Sequence, residues 1–216
     1  MSIKENIKKI KAEIPSHVAL MAATKTRTID EIKQAIDAGI TIIGENYVQE
    51  AEKKYHELKG KVKFHLIGHL QTNKIKKALK IFDMIQTLDS LKLAEEIEKT
   101  AEKPIDVLIE INIGKELNKT GVMPENTISL IKEISKLKNI KIKGLMAMAP
   151  YFDDAEKTRP YFREMKKLFE EIRKLEVQNV EMETLSMGMS DSYKIAIEEG
   201  SNMVRLGTII FGKRAA

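Results

Sequence analysis

The chain has 216 residues, enough for one large domain or two small ones, and 37 Lys and Arg against 32 Asp and Glu give a net charge of +5. It contains no cysteine, which excludes disulfides and zinc–thiolate centres, and no apolar run of the ~18 residues that a membrane-spanning helix needs. Lysines alternate with glutamates in "EEIEKTAEK" and "REMKKLFEEIRKLE", as on solvated helix faces, and no basic block is joined to aromatic stacking residues. The sequence therefore predicts neither a nucleic-acid partner nor a membrane.

The opening "SIKENIKKIKAEI" spaces Ile3, Ile7, Ile10 and Ile14 as one helical face. It lacks the apolar stretch of a signal peptide, so a cytoplasmic location is expected. Short β-branched runs then alternate with amphipathic segments. Strands are predicted over 17–23, 41–44, 62–68, 83–88, 106–112, 140–148, 182–188 and 203–212. Helices are predicted between them over 28–38, 45–58, 71–80, 89–102, 124–137, 155–175 and 190–199, with Thr28, Asp89 and Ser190 as capping residues.

Strict βα alternation implies a parallel sheet, and eight units imply a closed (β/α)8 barrel. An open doubly wound sheet is the alternative; no G-x-G-x-x-G follows the first strand, which argues against its dinucleotide-binding form. No linker or composition break appears, so residues 1–216 read as a single domain. After the eighth strand only "KRAA" remains, too little for an eighth helix. The N-terminal helix is expected to cover the seam between the last strand and the first.

Active sites of such barrels lie at the carboxyl ends of the strands. Lys25 falls there, after the first strand, with small neighbours Ala22, Ala23 and Thr24. A lysine desolvated in that position is a nucleophile for aldehydes, although a lone lysine after a strand is more often a surface residue. "LSMGMSD" (185–191) ends the seventh strand with Ser186 and Gly188, and "VRLGTIIFG" (204–212) places Arg205 within the eighth, followed by Gly207 and Thr208. A hydroxyl, small residues with accessible N–H groups and a helix start make an anion cradle, here for a phosphorylated aldehyde. His65 and His69 flank "LIG" and do not share a helix face, so a metal pair is not expected. His65 reads as lying near the ligand or in the barrel core. Asn112 reads either as a polar group inside the mouth or as a cap, and Met146 and Met148 either as ring-packing side chains or as core.

"KTR", "GENYVQE" (44–50), "HLIGHLQTNK" (65–74), "IEIN" with "KTG" (109–112, 119–121), "GLMAM" (144–148), "LSMGMSD" and "VRLGTIIFG" together resemble the pyridoxal phosphate homeostasis protein family along nearly the whole chain. The resemblance implies a barrel similar to the N-terminal domain of alanine racemase and pyridoxal 5′-phosphate (PLP) as cofactor. It implies Lys25 as the aldimine lysine, Ser186, Gly207 and Thr208 at the phosphate, Arg205 at the pyridine nitrogen and Asn46 beside the ring. The function it implies is reversible carriage of PLP in vitamin B6 homeostasis, with apo PLP-dependent enzymes and amino acids as partners. The alternative is a PLP-dependent amino-acid racemase. That reading needs a second acid/base group, which in alanine racemase comes from a separate β-domain that this chain is expected to lack. An RNA-binding module is a third reading, opposed by the interleaved charges.

Overall fold

Eight parallel strands close on themselves in the computed structural model, which describes residues 2–212. They are β1 (Ala19–Ala23), β2 (Ile42–Glu45), β3 (Lys63–Leu66), β4 (Met84–Leu88), β5 (Ile105–Ile111), β6 (Ile140–Ala147), β7 (Val180–Ser186) and β8 (Met203–Leu206). Each pairs with the next, and β1 pairs with β8 with Met21 opposite Arg205, so the sheet has no edge. Helices α1 (Ile3–Glu13), α2 (Ile29–Asp37), α3 (Val48–Leu58), α4 (Ile75–Ile81), α5 (Leu91–Thr100), α6 (Thr127–Ile134), α7 (Arg159–Arg173), α8 (Tyr193–Glu198) and α9 (Thr208–Phe211) surround it.

The helix faces follow the apolar spacing of the sequence. In α7, Phe162, Met165, Leu168, Phe169 and Ile172 recur at three and four residues and are all buried. Thr28 caps α2 in a reciprocal capping box with Glu31, as does Ser2 with Glu5 at α1. The cap of α5 is Ser90 rather than Asp89, because the hydroxyl of Ser90 accepts from Leu93 N. Helix α8 starts only at Tyr193, so Ser190 lies in the preceding loop and does not cap that helix.

The eighth strand stops at Leu206, well short of residue 212. The β-branched run that follows folds instead into α9, with Ile210 fully buried and its carbonyl accepting from Asn6 Nδ2 at 2.9 Å. Packing against α1 overrides the strand propensity of Thr208, Ile209 and Ile210. Helix α1 contacts both α2 and α9 and so covers the β8–β1 seam. The last four residues, "KRAA", lie outside the described ones.

Apolar side chains between sheet and helices form one continuous core, while Met84, Leu108 and Met146 form a separate buried cluster. The carboxyl ends of the strands remain open.

Candidate functional site

A cavity of about 250 Å³ opens at those strand ends, lined by Lys25 and Arg27 after β1, Asn46 after β2, Ser190 and Asp191 after β7, and Arg205, Gly207 and Thr208 at the end of β8. Met148, Met189, Ile67 and Ala23 complete its walls. The volume falls below the ~300–1,000 Å³ usual for drug-sized ligands and suits a small one. Three cationic side chains face one carboxylate, a balance that favours an anion carrying two negative charges.

Lys25 is half-buried in a tight turn, in which Arg27 N donates to Thr24 O at 3.0 Å. Thr26, the next residue, has φ +65°, a conformation that β-branched residues rarely adopt. Arg27 ties this turn to the segment after β8: its guanidinium lies 5.2 Å from the Phe211 ring centroid and donates to Gly212 O.

Asn46 presents Oδ1, which is buried and has no hydrogen-bond partner, and such an atom calls for a donor from elsewhere. Its backbone is wedged against Gly68, where a Cβ would stand 2.2 Å from Asn46 O. Only glycine allows that approach. At Gly207 the situation is reversed. A Cβ there would meet only Ala23, at 3.5–3.6 Å, which is ordinary contact. The protein does not need glycine there for packing, so its absent side chain leaves room on the cavity side.

Arg205 enters the cavity from inside the barrel. Nη1 donates to Ser186 Oγ at 2.7 Å and Nη2 to Ala147 O at 2.9 Å. Ser186 Oγ in turn donates to Gln86 Oε1 at 2.8 Å, and Gln86 Nε2 lies 3.0 Å from His65 Nδ1. Strands β4 and β7 are not neighbours, so the Ser186–Gln86 bond can only cross the barrel interior. An arginine donates and never accepts, which fixes the polarity of the whole chain of bonds. Nδ1 of His65 must accept, leaving its proton on Nε2. Burial, with Lys63 adding to it, pushes the His65 pKa down to about 3, consistent with a neutral ring. Burial pushes Arg205 down to about 10, opposed by the nearby Glu110 carboxylate, so it stays charged at neutral pH. Glu110 is itself buried, accepts from Thr120 Oγ1 at 2.9 Å, and has a carboxyl pushed up by burial.

Five of the six expected site residues therefore meet at one cavity: Lys25, Asn46, Arg205, Gly207 and Thr208. The structure does not bring the sixth, Ser186, to it. Ser186 is fully buried beneath, between Arg205 and Gln86. The serine that does line the cavity is Ser190, whose Oγ accepts from Ile209 N at 3.4 Å. His65 is a core residue. Asn112 bonds main-chain atoms of Glu116 and Lys119, so it organises its own loop. Met146 packs with Met84 and Leu108, whereas Met148 is partly exposed at the cavity wall. Among the described residues no group of three or more His, Cys, Asp or Glu is placed to hold a metal ion, and no helix is long and apolar enough to cross a membrane.

Residues 1–215 match the family described as the N-terminal domain of alanine racemase. The chain is 44% identical over 199 residues to a pyridoxal phosphate homeostasis protein of Aquifex aeolicus, covering 90% of this chain and 86% of that one. It is 36% identical over 207 residues to the protein of the same name from Escherichia coli, covering 93% and 87%. Among solved structures, PipY of Synechococcus elongatus with PLP bound is similar with a TM-score of 0.89 at 32% identity, covering 98% of this chain and all of PipY. An alanine racemase of Clostridium difficile is similar with a TM-score of 0.78 at 16% identity over 57% of its length, a likeness of fold alone.

Proposed function

Since the chain belongs to the pyridoxal phosphate homeostasis protein family, we propose that it holds PLP in the cavity at the strand ends and exchanges it reversibly, as part of cytoplasmic vitamin B6 homeostasis. The observation that carries this reading is the convergence of Lys25, Arg27 and Arg205 on a small cavity that also presents an unpartnered buried oxygen, Asn46 Oδ1.

The residues fit the cofactor's chemistry. Ser190, Gly207 and Thr208 lie together where a phosphate dianion would gain charge-assisted bonds from hydroxyl and N–H donors. Arg205 directs a donor-rich guanidinium toward a ring nitrogen that keeps its lone pair. Asn46 Oδ1 stands ready to accept from a ring hydroxyl. When bound, the cofactor supplies an aldehyde that condenses with primary amines. We assign Lys25 Nζ as that amine: its nitrogen forms the Schiff-base C=N bond with the aldehyde carbon, and the oxygen leaves as water.

Exchange needs an accessible mouth, and large apolar side chains are exposed around it. Tyr47, Leu117, Met148, Tyr151 and Met189 all lie in loops that follow strands, on the cavity face. This rim supports hand-over to apo PLP-dependent enzymes, with amino acids as small competing amines. The likeness to alanine racemases concerns fold and lends the chain no activity.

The test is borohydride reduction of PLP-loaded wild type and Lys25→Ala. Wild type is expected to retain one peptide-linked pyridoxyl group, at Lys25, and the variant none. A pyridoxyl group on one other lysine in the variant would overturn the Lys25 assignment, and a wild type that binds no PLP would overturn the carrier reading.

A further inference from the structure

Three oxygens converge on the ammonium of Lys54, midway along α3, whose side chain is only 6% exposed. Nζ lies 2.7 Å from Glu45 Oε1, 2.7 Å from Glu50 Oε1 and 2.8 Å from the main-chain oxygen of Thr24. An ammonium has three protons, so this geometry uses all of them.

None of the partners lines the cavity, but each connects to residues beside it. Thr24 precedes Lys25, and its hydroxyl donates to Glu45 Oε1 at 2.5 Å. Glu45 ends β2 and precedes Asn46. Glu50 accepts from Thr26 N at 2.6 Å. The residues on either side of Lys25 are thus tied to one ammonium, Thr24 directly and Thr26 through Glu50.

That restraint is needed because the turn is unfavourable by itself. Thr26 sits at φ +65°, where a β-branched side chain crowds its own backbone. Such a conformation persists only where its surroundings over-determine it. The N–H of Thr26 held on the Glu50 carboxylate is that determinant.

The cluster is poorly suited to be merely a stabiliser. Glu45 is fully buried, and its second oxygen, Oε2, has no hydrogen-bond partner. Burial pushes its carboxyl up, against the pull of Lys54. Apolar replacements of whole buried ion clusters are often neutral or stabilising, so net stability alone does not account for this one.

We propose that Lys54 is a positioning residue whose ammonium fixes the turn that carries the Lys25 amine into the cavity. The proposal rests on the reading of Lys25 as the amine that takes the cofactor.

The experiment compares wild type with Lys54→Met, Lys54→Arg and Glu50→Gln in the full chain. The first measurement is amide hydrogen exchange at Thr26 in ligand-free protein, which does not involve the cofactor. Lys54→Met is expected to exchange roughly tenfold faster there, with Lys54→Arg restored toward wild type. The second is the rate of borohydride trapping on Lys25 at saturating PLP. A misplacement of about 1 Å costs on the order of 100-fold, so a fall of at least about tenfold is expected in Lys54→Met. Half-saturation, set by the phosphate contacts, should move by less than about threefold. Glu50 is partly exposed, so Glu50→Gln keeps the fold testable if Lys54→Met does not fold, and it should shift both readouts in the same direction by less. Folded variants with wild-type exchange at Thr26 and wild-type trapping overturn the proposal. A wild type that traps no PLP on Lys25 overturns the underlying assignment instead, and the exchange measurement still decides whether Lys54 holds the turn.

Discussion

The Arg205 guanidinium donates to the Ser186 hydroxyl at 2.7 Å, and that contact decides what Ser186 is for. Ser186 is fully buried and its own proton goes to Gln86. Ser186→Ala would leave Arg205 Nη1 and Gln86 Oε1 without their shared partner. An unsatisfied buried polar group costs about 1–3 kcal/mol. The variant is expected to lose that much in denaturant unfolding. The ratio of its affinities for PLP and pyridoxal should equal that of wild type, because the phosphate is not touched. A collapse of that ratio would return Ser186 to the phosphate.

Ser190 carries the opposite expectation. Its side chain lines the cavity beside Gly207 and Thr208, and its bond to Ile209 N is long, at 3.4 Å. A hydrogen bond to a charged group is worth about 1.5–3 kcal/mol. Wild type should therefore bind pyridoxal at least roughly tenfold more weakly than PLP, and Ser190→Ala should narrow that gap by about tenfold or more with little change in stability. Equilibrium dialysis with both aldehydes measures it. Equal affinity of wild type for the two would refute a phosphate cradle of any composition.

The barrel and its order of strands are legible from βα alternation, Lys25 from where the first strand ends, Arg205 from its place within the eighth, and Asn46 only from the family resemblance. The interior relay was also written in the sequence, in a pattern easily passed over. His65 lies between Phe64 and Leu66, Ser186 between Leu185 and Met187, and Arg205 between Val204 and Leu206. The flanking residues all belong to the core beneath the helices. With a period of two, each polar residue must then point into the barrel. Ser186 between two outward apolar neighbours is thus an interior residue, whereas Ser190, beyond Gly188, escapes strand parity. Other features had no local signal. Helix α9 exists because α1 packs on it, which no property of "TIIF" announces. Lys54, four residues after Glu50, reads as an ordinary surface ion pair until β1 brings Thr24 against it across thirty residues of sequence.

Gly68 ties the loop after β3 to the site. A Cβ at that position would stand 2.2 Å from Asn46 O and 2.7 Å from Asn46 Cα, backbone atoms that cannot swing aside. Gly68→Ala is expected to displace Asn46 from the cavity and to cost about 1–3 kcal/mol of stability, as overpacking does. Cofactor affinity should fall with it. Unchanged affinity and unchanged unfolding would mean that the β3 loop moves freely, contrary to the Thr87 Oγ1 bond that holds Gly68 O at 2.8 Å.

The neutral His65 makes stability depend on pH. Its folded pKa, about 3, is lower than that of an unfolded histidine, so below roughly pH 6.5 the unfolded chain binds a proton that the folded chain refuses. Stability supplied by this site is complete above that pH and declines as pH falls toward 3, with a limiting slope of about 1.4 kcal/mol per pH unit. His65→Gln retains an acceptor for Gln86 and removes the titration. The difference in unfolding free energy between wild type and variant should be flat from pH 7 to 8 and should drift against wild type from pH 6 to 4. Taking the difference cancels the carboxylates Glu45 and Glu110. A flat difference throughout would mean that His65 takes up its proton as readily in the folded chain as in the unfolded one.

Arg205 bears on how strongly a bound ring could withdraw electrons. PLP enzymes place either a carboxylate or an arginine beside the pyridine nitrogen, and only the carboxylate keeps that nitrogen protonated and the ring a strong electron sink. Here the group aimed into the cavity is a guanidinium, still charged at neutral pH with a pKa of about 10. Its rotation is restricted, because Ser186 and Ala147 O each hold one terminal nitrogen. A donor fixed in that way stabilises the unprotonated nitrogen, since two positive charges in contact repel. The ring then withdraws electron density poorly from any amine attached to it. Amine exchange at Lys25 does not require that withdrawal, whereas loss of an α-proton does. Loaded protein should accordingly exchange its cofactor with amines while turning over alanine negligibly. The measurement is α-proton exchange of alanine in deuterium oxide, where turnover on the order of 1 s⁻¹ or faster would place the chain among ordinary enzymes and overturn the carrier reading. Arg205→Glu would substitute an acceptor for the donor, beside Glu110, and raise the proton affinity of the ring nitrogen. Provided that it retains PLP, that variant is expected to gain α-proton exchange. Retention of PLP with no gain would show that ring electronics are not what restrains the site.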